Sequence, residues 1–322
     1  MCPVPFFPSN PAMIRTSLSI VFMGNPDFSV PSLRQLAGSR HNVAAVVTGS
    51  DKRRGRGGER TPSPVKSAAM SLSLDVIEAD EMRSPTLHKK LADLEPDLLV
   101  VVAYKLLPSE VLAVPRIGSL NLHASLLPKY RGAAPIHWAV INGETETGCT
   151  VFLLDEGMDT GRILGREKTD IGLLETTGDL YDRLKEMGAS LLVRTVDQLA
   201  DGTGTAQLQD DAQATRAPKI HPDDGRIDFR NNVMDVHNFI RGMSPFPGAW
   251  TLQDGRKLKI FRSEPAPGVV LEPGKAQIID GKGYAGCHGG AVVLAEVQPD
   301  GKKRVGGTDY LNGLGGHTFF SF

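Results

Sequence analysis

This chain is poor in sulfur chemistry. Its three cysteines, Cys2, Cys149 and Cys287, stand far apart, with no Cys-x-x-Cys pair among them. That spacing offers neither a zinc site nor a disulfide framework, and it suits a reducing compartment. No apolar run approaches the length of a membrane span. No basic residue precedes Arg15 and no long apolar centre follows the start, so residues 1–15 are expected to be a disordered extension rather than a signal peptide. Neither charge sign is in excess: the net charge is −1, so no global field draws in nucleic acid, and any such contact must come from a local patch. No Gly-x-Gly-x-x-Gly turn follows the first apolar run at 18–23, which disfavours a dinucleotide site there.

What is present fits two globular domains. The length of 322 residues and a hydrophobic share of 40% supply two ordinary cores. Short apolar runs at 18–23, 43–47, 75–79, 98–103, 117–122 and 150–154 read as strands. Helical patterns fall at 30–36, 87–94 and 133–141, and Leu180, Leu184, Met187 and Leu191 mark a further helix. Strands alternating with helices predict an α/β domain with a mostly parallel sheet. The run 98–103 is continuously apolar, as a central strand covered on both faces requires.

Residues 201–218 are rich in Gly, Thr, Gln, Asp and Ala, and 203–218 are expected to be a linker. From Gly248 the pattern alternates. Trp250 and Leu252 are expected to pair with Leu258 and Ile260 across Asp254-Gly255, a hairpin signal. Further short strands around Val269, Ile278 and Val292 predict a small barrel. The expected division is 1–15 extension, 16–202 α/β domain, 203–218 linker and 219–322 β-barrel domain.

The chemistry concentrates in one stretch. Asn121 and His123 alternate at a strand end, so both face the same way. Asp159 follows 38 positions after Asn121, in a Gly-flanked loop. An amide, an imidazole and a carboxylate can run acyl transfer without a covalent intermediate: the amide donates to a developing oxyanion, the imidazole moves or stabilises charge, and the carboxylate orients it and takes a proton. Alone, an Asn or His at a strand end is more often a satisfied polar group. No cluster has metal-ligand spacing.

The run Asn121-x-His123-x-Ser125-Leu-Leu-Pro128, followed by Gly157-Met-Asp159-Thr-Gly161, closely resembles the folate-dependent formyltransferases, and the resemblance extends over all but the first dozen or so residues. It implies a Rossmann-like formyltransferase domain followed by an OB-like β-barrel domain. It implies catalysis by Asn121, His123 and Asp159 without a metal. The implied donor is 10-formyltetrahydrofolate, held by Ser125, Leu126, Leu127 and Pro128, with Leu106 and Leu107 lining the pterin pocket. The implied acceptor is the α-amine of methionine on initiator tRNA, in a monomer of the bacterial cytoplasm; the alternative acceptor within the family is a sugar amine.

Between 51 and 60 stand five basic and two acidic residues, a local balance of +3, spaced by glycines. Such a loop is either solvated or shaped for a partner. The resemblance favours the second and places Arg53, Arg54 and Arg56 against the tRNA, with Arg56 the key position. Lys302, Lys303 and Arg304 form another basic cluster, which suits either a protected strand edge or phosphate contacts.

Overall fold

The computed structural model describes residues 4–5, 15–53, 58 and 60–322, with nothing said of the side chains at 4, 5, 52 and 53. Arg54 and Arg56 lie outside the described residues, as do 1–3 and 6–14 of the expected extension. Val4–Pro5 pairs with Thr205–Ala206, and Lys52–Arg53 pairs with Arg60–Thr61. The chain forms two compact units. One comprises Met1–Arg131, Gly148–Lys168 and Asp182–Arg216; the other comprises Gly132–Thr147, Thr169–Tyr181 and Ala217–Phe322.

The first unit is built on a seven-stranded sheet: β1 (Ser19–Gly24), β2 (Asn42–Thr48), β3 (Val76–Glu78), β4 (Leu98–Val102), β5 (Gly118–His123), β6 (Glu146–Leu153) and β7 (Ile163–Asp170), in the order β7-β6-β5-β4-β1-β2-β3. The pairs β1–β2, β1–β4, β2–β3 and β4–β5 are parallel, and β5–β6 is antiparallel. The order reverses at β1 and β4, giving the Rossmann-like pattern in which ligands meet the carboxyl ends of the strands. As its uninterrupted apolar sequence requires, β4 is buried along its whole length. At its entry Asp97, 3% exposed, accepts from Arg15 Nη1 (2.7 Å) and Ser19 N (2.9 Å), so a buried carboxylate ties the starts of β1 and β4.

Helices α1 (Val30–Ala37), α2 (Pro64–Ser71) and α3 (Pro85–Asp93) each carry proline in the first turn, where the missing N–H costs nothing. The short α4 (Ser109–Leu112) follows, then α5 (Pro135–Ile141) and the 24-residue α6 (Thr177–Ala200).

In the second unit α7 (Val233–Gly242) starts at Asn232, whose Oδ1 accepts from Met234 N and Asp235 N, both at 2.9 Å. Strands β8 (Ala249–Gln253), β9 (Arg256–Ala266), β10 (Lys275–Ile279), β11 (Lys282–Cys287), β12 (Gly290–Pro299), β13 (Val305–Gly306) and β14 (His317–Ser321) run in the order β9-β8-β14-β10-β11-β12-β13. A further β9–β12 pairing closes six of them into an antiparallel barrel. The 11-residue β9 spans two neighbours by bending at a register shift around Phe261. Phe229, Val236 and Ile240 share one core with Leu258, Ile260, Val297 and Leu311, the last from α8 (Gly307–Asn312).

The expected hairpin forms, but one residue out of register. Asp254 and Gly255 both take positive φ (48° and 72°), making a two-residue turn that pairs Gln253 with Arg256. Trp250 therefore faces Lys259 and Leu252 faces Lys257, while Ala249 and Thr251 pair with Ile260 and Leu258 on the buried face. Turn geometry overrides the apolar match of Trp250 and Leu252, and a one-residue slip exchanges the faces.

Candidate active site

The carboxyl end of β5 delivers Asn121 and His123 to one face, with Asn121 opposite Phe152 and His123 opposite Thr150 on β6. His123 is 7% exposed. Its Nε2 lies 2.9 Å from Tyr130 O, and a carbonyl only accepts, so Nε2 carries a proton. The other ring nitrogen, Nδ1, faces Asp159 Oδ2 at 3.8 Å. That distance is beyond a hydrogen bond but within ion-pair range. Phe152 meets the imidazole edge-on, with centroids 6.5 Å apart. Asn121 Oδ1 is buried with no hydrogen-bond partner among the described residues.

Asp159 holds φ +57°, a left-handed backbone that costs an L-residue about 1–2 kcal/mol. Its loop is braced by Asp155, whose Oδ1 accepts from Gly157 N (3.0 Å) and Thr160 Oγ1 (2.6 Å). Gly161 closes the loop against β6; a Cβ there would stand 1.6 Å from Leu153 O. Asp155 is exposed and stands two residues before a Gly, the sequence signal for this Asx turn.

Ser125 and Leu127 are fully buried, and Leu126 and Pro128 are half-buried. Ser125 Oγ donates to Lys129 O at 2.7 Å, and Thr150 Oγ1 donates to Ser125 O at 2.6 Å while accepting from Leu127 N at 3.1 Å. Leu127 packs with Phe152 and Ile163. These side chains hold the turn that follows β5. Beyond the end of β4, Leu106 and Leu107 line a pocket of about 580 Å³ with Glu81, Met82, Arg83 and Pro108; Leu106 is 74% exposed and Leu107 is 8%.

The stretch 207–215, expected to be linker, is hydrogen-bonded to this site. Gln207 and Ile163 exchange backbone hydrogen bonds at 2.8 Å, and Gln209 Nε2 donates to Asp159 O and Gly161 O, each at 2.8 Å. Its Oε1 accepts from Arg131 Nη2 (2.7 Å) and Nε (3.1 Å), and Thr215 Oγ1 accepts from Tyr130 N (2.8 Å). No local pattern announces these contacts, which span 44 to 85 positions of sequence.

In the second unit Lys302, Lys303 and Arg304 are exposed on the turn between β12 and β13. Arg304 stacks over Phe261, 3.6 Å from the ring centroid, and pairs with Glu296 at 3.0 Å. The side chain of Arg53 lies outside the described residues, like Arg54 and Arg56. Burial pushes the thiols of Cys149 and Cys287 up, the latter to about 12, so neither is a nucleophile at neutral pH. Among the described residues no group of three or more His, Cys, Asp or Glu side chains is placed to hold a metal ion.

A Rossmann-like sheet with polar groups at its carboxyl edge, joined in one chain to a closed barrel, defines a two-unit α/β group-transfer enzyme. Residues 18–196 match the family model described as formyl transferase, and residues 219–315 match that described as formyl transferase, C-terminal domain. The chain belongs to the formyl transferase family. It is 42% identical over 302 residues to a methionyl-tRNA formyltransferase from Geobacter metallireducens, covering 92% of this chain and 96% of that one. It is 43% identical over 304 residues to one from Citrifermentans bemidjiense, covering 92% and 94%. Among solved structures it is similar in fold to an N-formyltransferase from Helicobacter canadensis in complex with folinic acid and dTDP-3-aminofucose, with a TM-score of 0.66, 18% identity, and 88% and 99% of the two chains covered.

Proposed function

We propose that this protein transfers a formyl group from 10-formyltetrahydrofolate to the α-amine of methionine esterified to initiator tRNA. The observation that carries the reading is the 42–43% identity to methionyl-tRNA formyltransferases over nine-tenths of the chain. The position of His123 beside Asp159 supports it.

In this reading Asn121 and the imidazolium of His123, acting through Nδ1, donate to the oxyanion formed when the amine attacks the formyl carbon. Asp159 is the counter-charge to that imidazolium and accepts the proton the amine loses. The carbon–nitrogen bond to the folate then breaks, and the folate nitrogen leaves with a proton, so none is gained or lost overall. The unpartnered Asn121 Oδ1 suits an N–H of the incoming amine. No acyl-enzyme is required, and Ser125 spends its hydroxyl on Lys129 O.

The pocket beside Leu106 and Leu107 has the size of a small-molecule site, and its leucines, Met82 and Arg83 suit a flat heterocycle with an anionic tail. The turn 125–128 borders the folate on the same reading. Arg53, Arg54 and Arg56, with Lys302, Lys303 and Arg304, are assigned to tRNA phosphates, contacts that weaken as salt rises. The protein acts as a monomer in the bacterial cytoplasm on this reading; no described helix is long and apolar enough to cross a membrane.

The deciding assay offers methionyl initiator tRNA, a charged elongator tRNA and an amino sugar in parallel, with 10-formyltetrahydrofolate as donor. Formylation of the initiator alone is expected. Transfer only to the amino sugar would overturn the acceptor assignment.

A further inference from the structure

His123 takes its bearing from Tyr130 O, and Asp159 takes its bearing from a loop in a left-handed backbone conformation. Both supports are gripped by one short stretch of chain. Gln209 holds the carbonyls of Asp159 and Gly161 with one end of its amide and the Arg131 guanidinium with the other. Arg131 Nη2 is steadied in turn by Asp211 at 2.7 Å. Six positions after Gln209, Thr215 Oγ1 accepts from Tyr130 N, and Thr215 O accepts from Arg131 N at 2.9 Å. The peptide group that carries Tyr130 N is thus anchored on the same stretch as the Asp159 loop.

The residue types are specific to these tasks. Gln209 must donate twice on one side and accept twice on the other, which an amide does and no charged side chain can. A carboxylate would turn lone pairs toward two carbonyls, and an ammonium would meet the guanidinium. Its orientation is fixed by its partners, since the reversed amide would set N–H against N–H. Thr215 supplies a hydroxyl acceptor where the backbone of Tyr130, itself at φ +61°, offers a donor.

We infer that residues 207–215 form a splint for the reaction centre, with Gln209 and Thr215 as positioning residues that set Asp159 and the carbonyl support of His123. Neither side chain is assigned a contact with substrate. The inference rests on the formyl-transfer reading, and it gives a stretch that resembles a bare tether a role in turnover.

The test uses the full-length protein and initial-rate formylation of methionyl initiator tRNA, with Gln209→Glu, Thr215→Val and Thr215→Ser. Gln209→Glu keeps size and the Arg131 contact, loses both donors and turns a charged oxygen toward the Asp159 and Gly161 carbonyls. It is expected to lower kcat about ten- to a hundred-fold, the scale of a small misplacement of reacting groups. Both KM values should stay within about two-fold, because uniform binding is untouched. Amide hydrogen exchange across 157–161 should quicken in the same variant. Thr215→Val should lower kcat and Thr215→Ser should restore it. Wild-type kcat in Gln209→Glu, or a loss confined to the KM for tRNA, would overturn the splint. If Gln209→Glu does not fold, the Thr215 pair decides, and equal kcat for its Val and Ser forms overturns the inference. A wild-type protein that formylates no tRNA sinks the underlying reading instead, a result distinct from active wild type with unaffected variants.

Discussion

Asp159→Asn isolates the charge at the centre of the proposed mechanism. His123 Nδ1 and Asp159 Oδ2 stand 3.8 Å apart, with side chains 7% and 14% exposed. Two unit charges at that separation attract by about 4 kcal/mol at an effective dielectric constant of about 20. Asparagine has the same shape and no charge, and Gln209 holds position 159 through its backbone oxygen, so the loop keeps its anchor. If the attraction supports an imidazolium in the transition state, losing most of it slows turnover by about two to three decades. Single-turnover formylation at saturating substrates measures the step, and thermal unfolding controls for folding, with Tm expected to move by less than about 3 °C. A rate within about five-fold of wild type would refute the charge pairing, since that corresponds to only about 1 kcal/mol. A loss confined to KM would assign Asp159 to binding instead.

Two further outcomes concern the second unit. Phe229 is fully buried in the barrel core between Phe320 and Phe322, so Phe229→Ala should cost about 3–5 kcal/mol in denaturant unfolding; a cost below about 1 kcal/mol would contradict the packing. His237 is buried, donating from Nε2 to Leu173 O at 2.8 Å and lying 2.9 Å from Ser263 Oγ at Nδ1, and burial holds its pKa below the ordinary 6.5. The unfolded chain therefore takes up that proton more readily. The stabilisation is complete above about pH 6.5 and is lost as pH falls below it. His137 and His41 shift the same way, so thermal unfolding from pH 8 to pH 5.5 should show a decline that His237→Gln makes shallower. An equal slope in the variant would count against His237.

What the sequence discloses depends on how local the cause is. The buried strand β4, the stripe on α6 and the pairing of Asn121 with His123 follow from periodicities of a few residues. So does the hairpin turn at Asp254-Gly255. Its register does not follow from the apolar match of Trp250 and Leu252, because the geometry of a two-residue turn decides it. Asp155 is exposed, as paired acids on loops usually are, and its Asx turn is signalled by the Gly two residues on. Gln209 and Thr215 could not be read at all. Their partners lie 48 to 85 positions away, and a polar, Gly-containing stretch has the composition of a tether whether or not it is bound down.

The hairpin register carries a practical consequence. The chain has only two tryptophans, Trp138 and Trp250, and both belong to the barrel-containing unit. Each indole donates to a backbone carbonyl, Trp138 to Pro218 and Trp250 to Pro222, and the slipped pairing leaves Trp250 facing cations, with Lys257 Nζ 4.1 Å from its ring centroid. Intrinsic emission excited at the red edge therefore reports on that unit alone. Circular dichroism collects signal from both units. Following the two optical probes along one denaturant titration separates the melting of the barrel from that of the sheet, with no label attached.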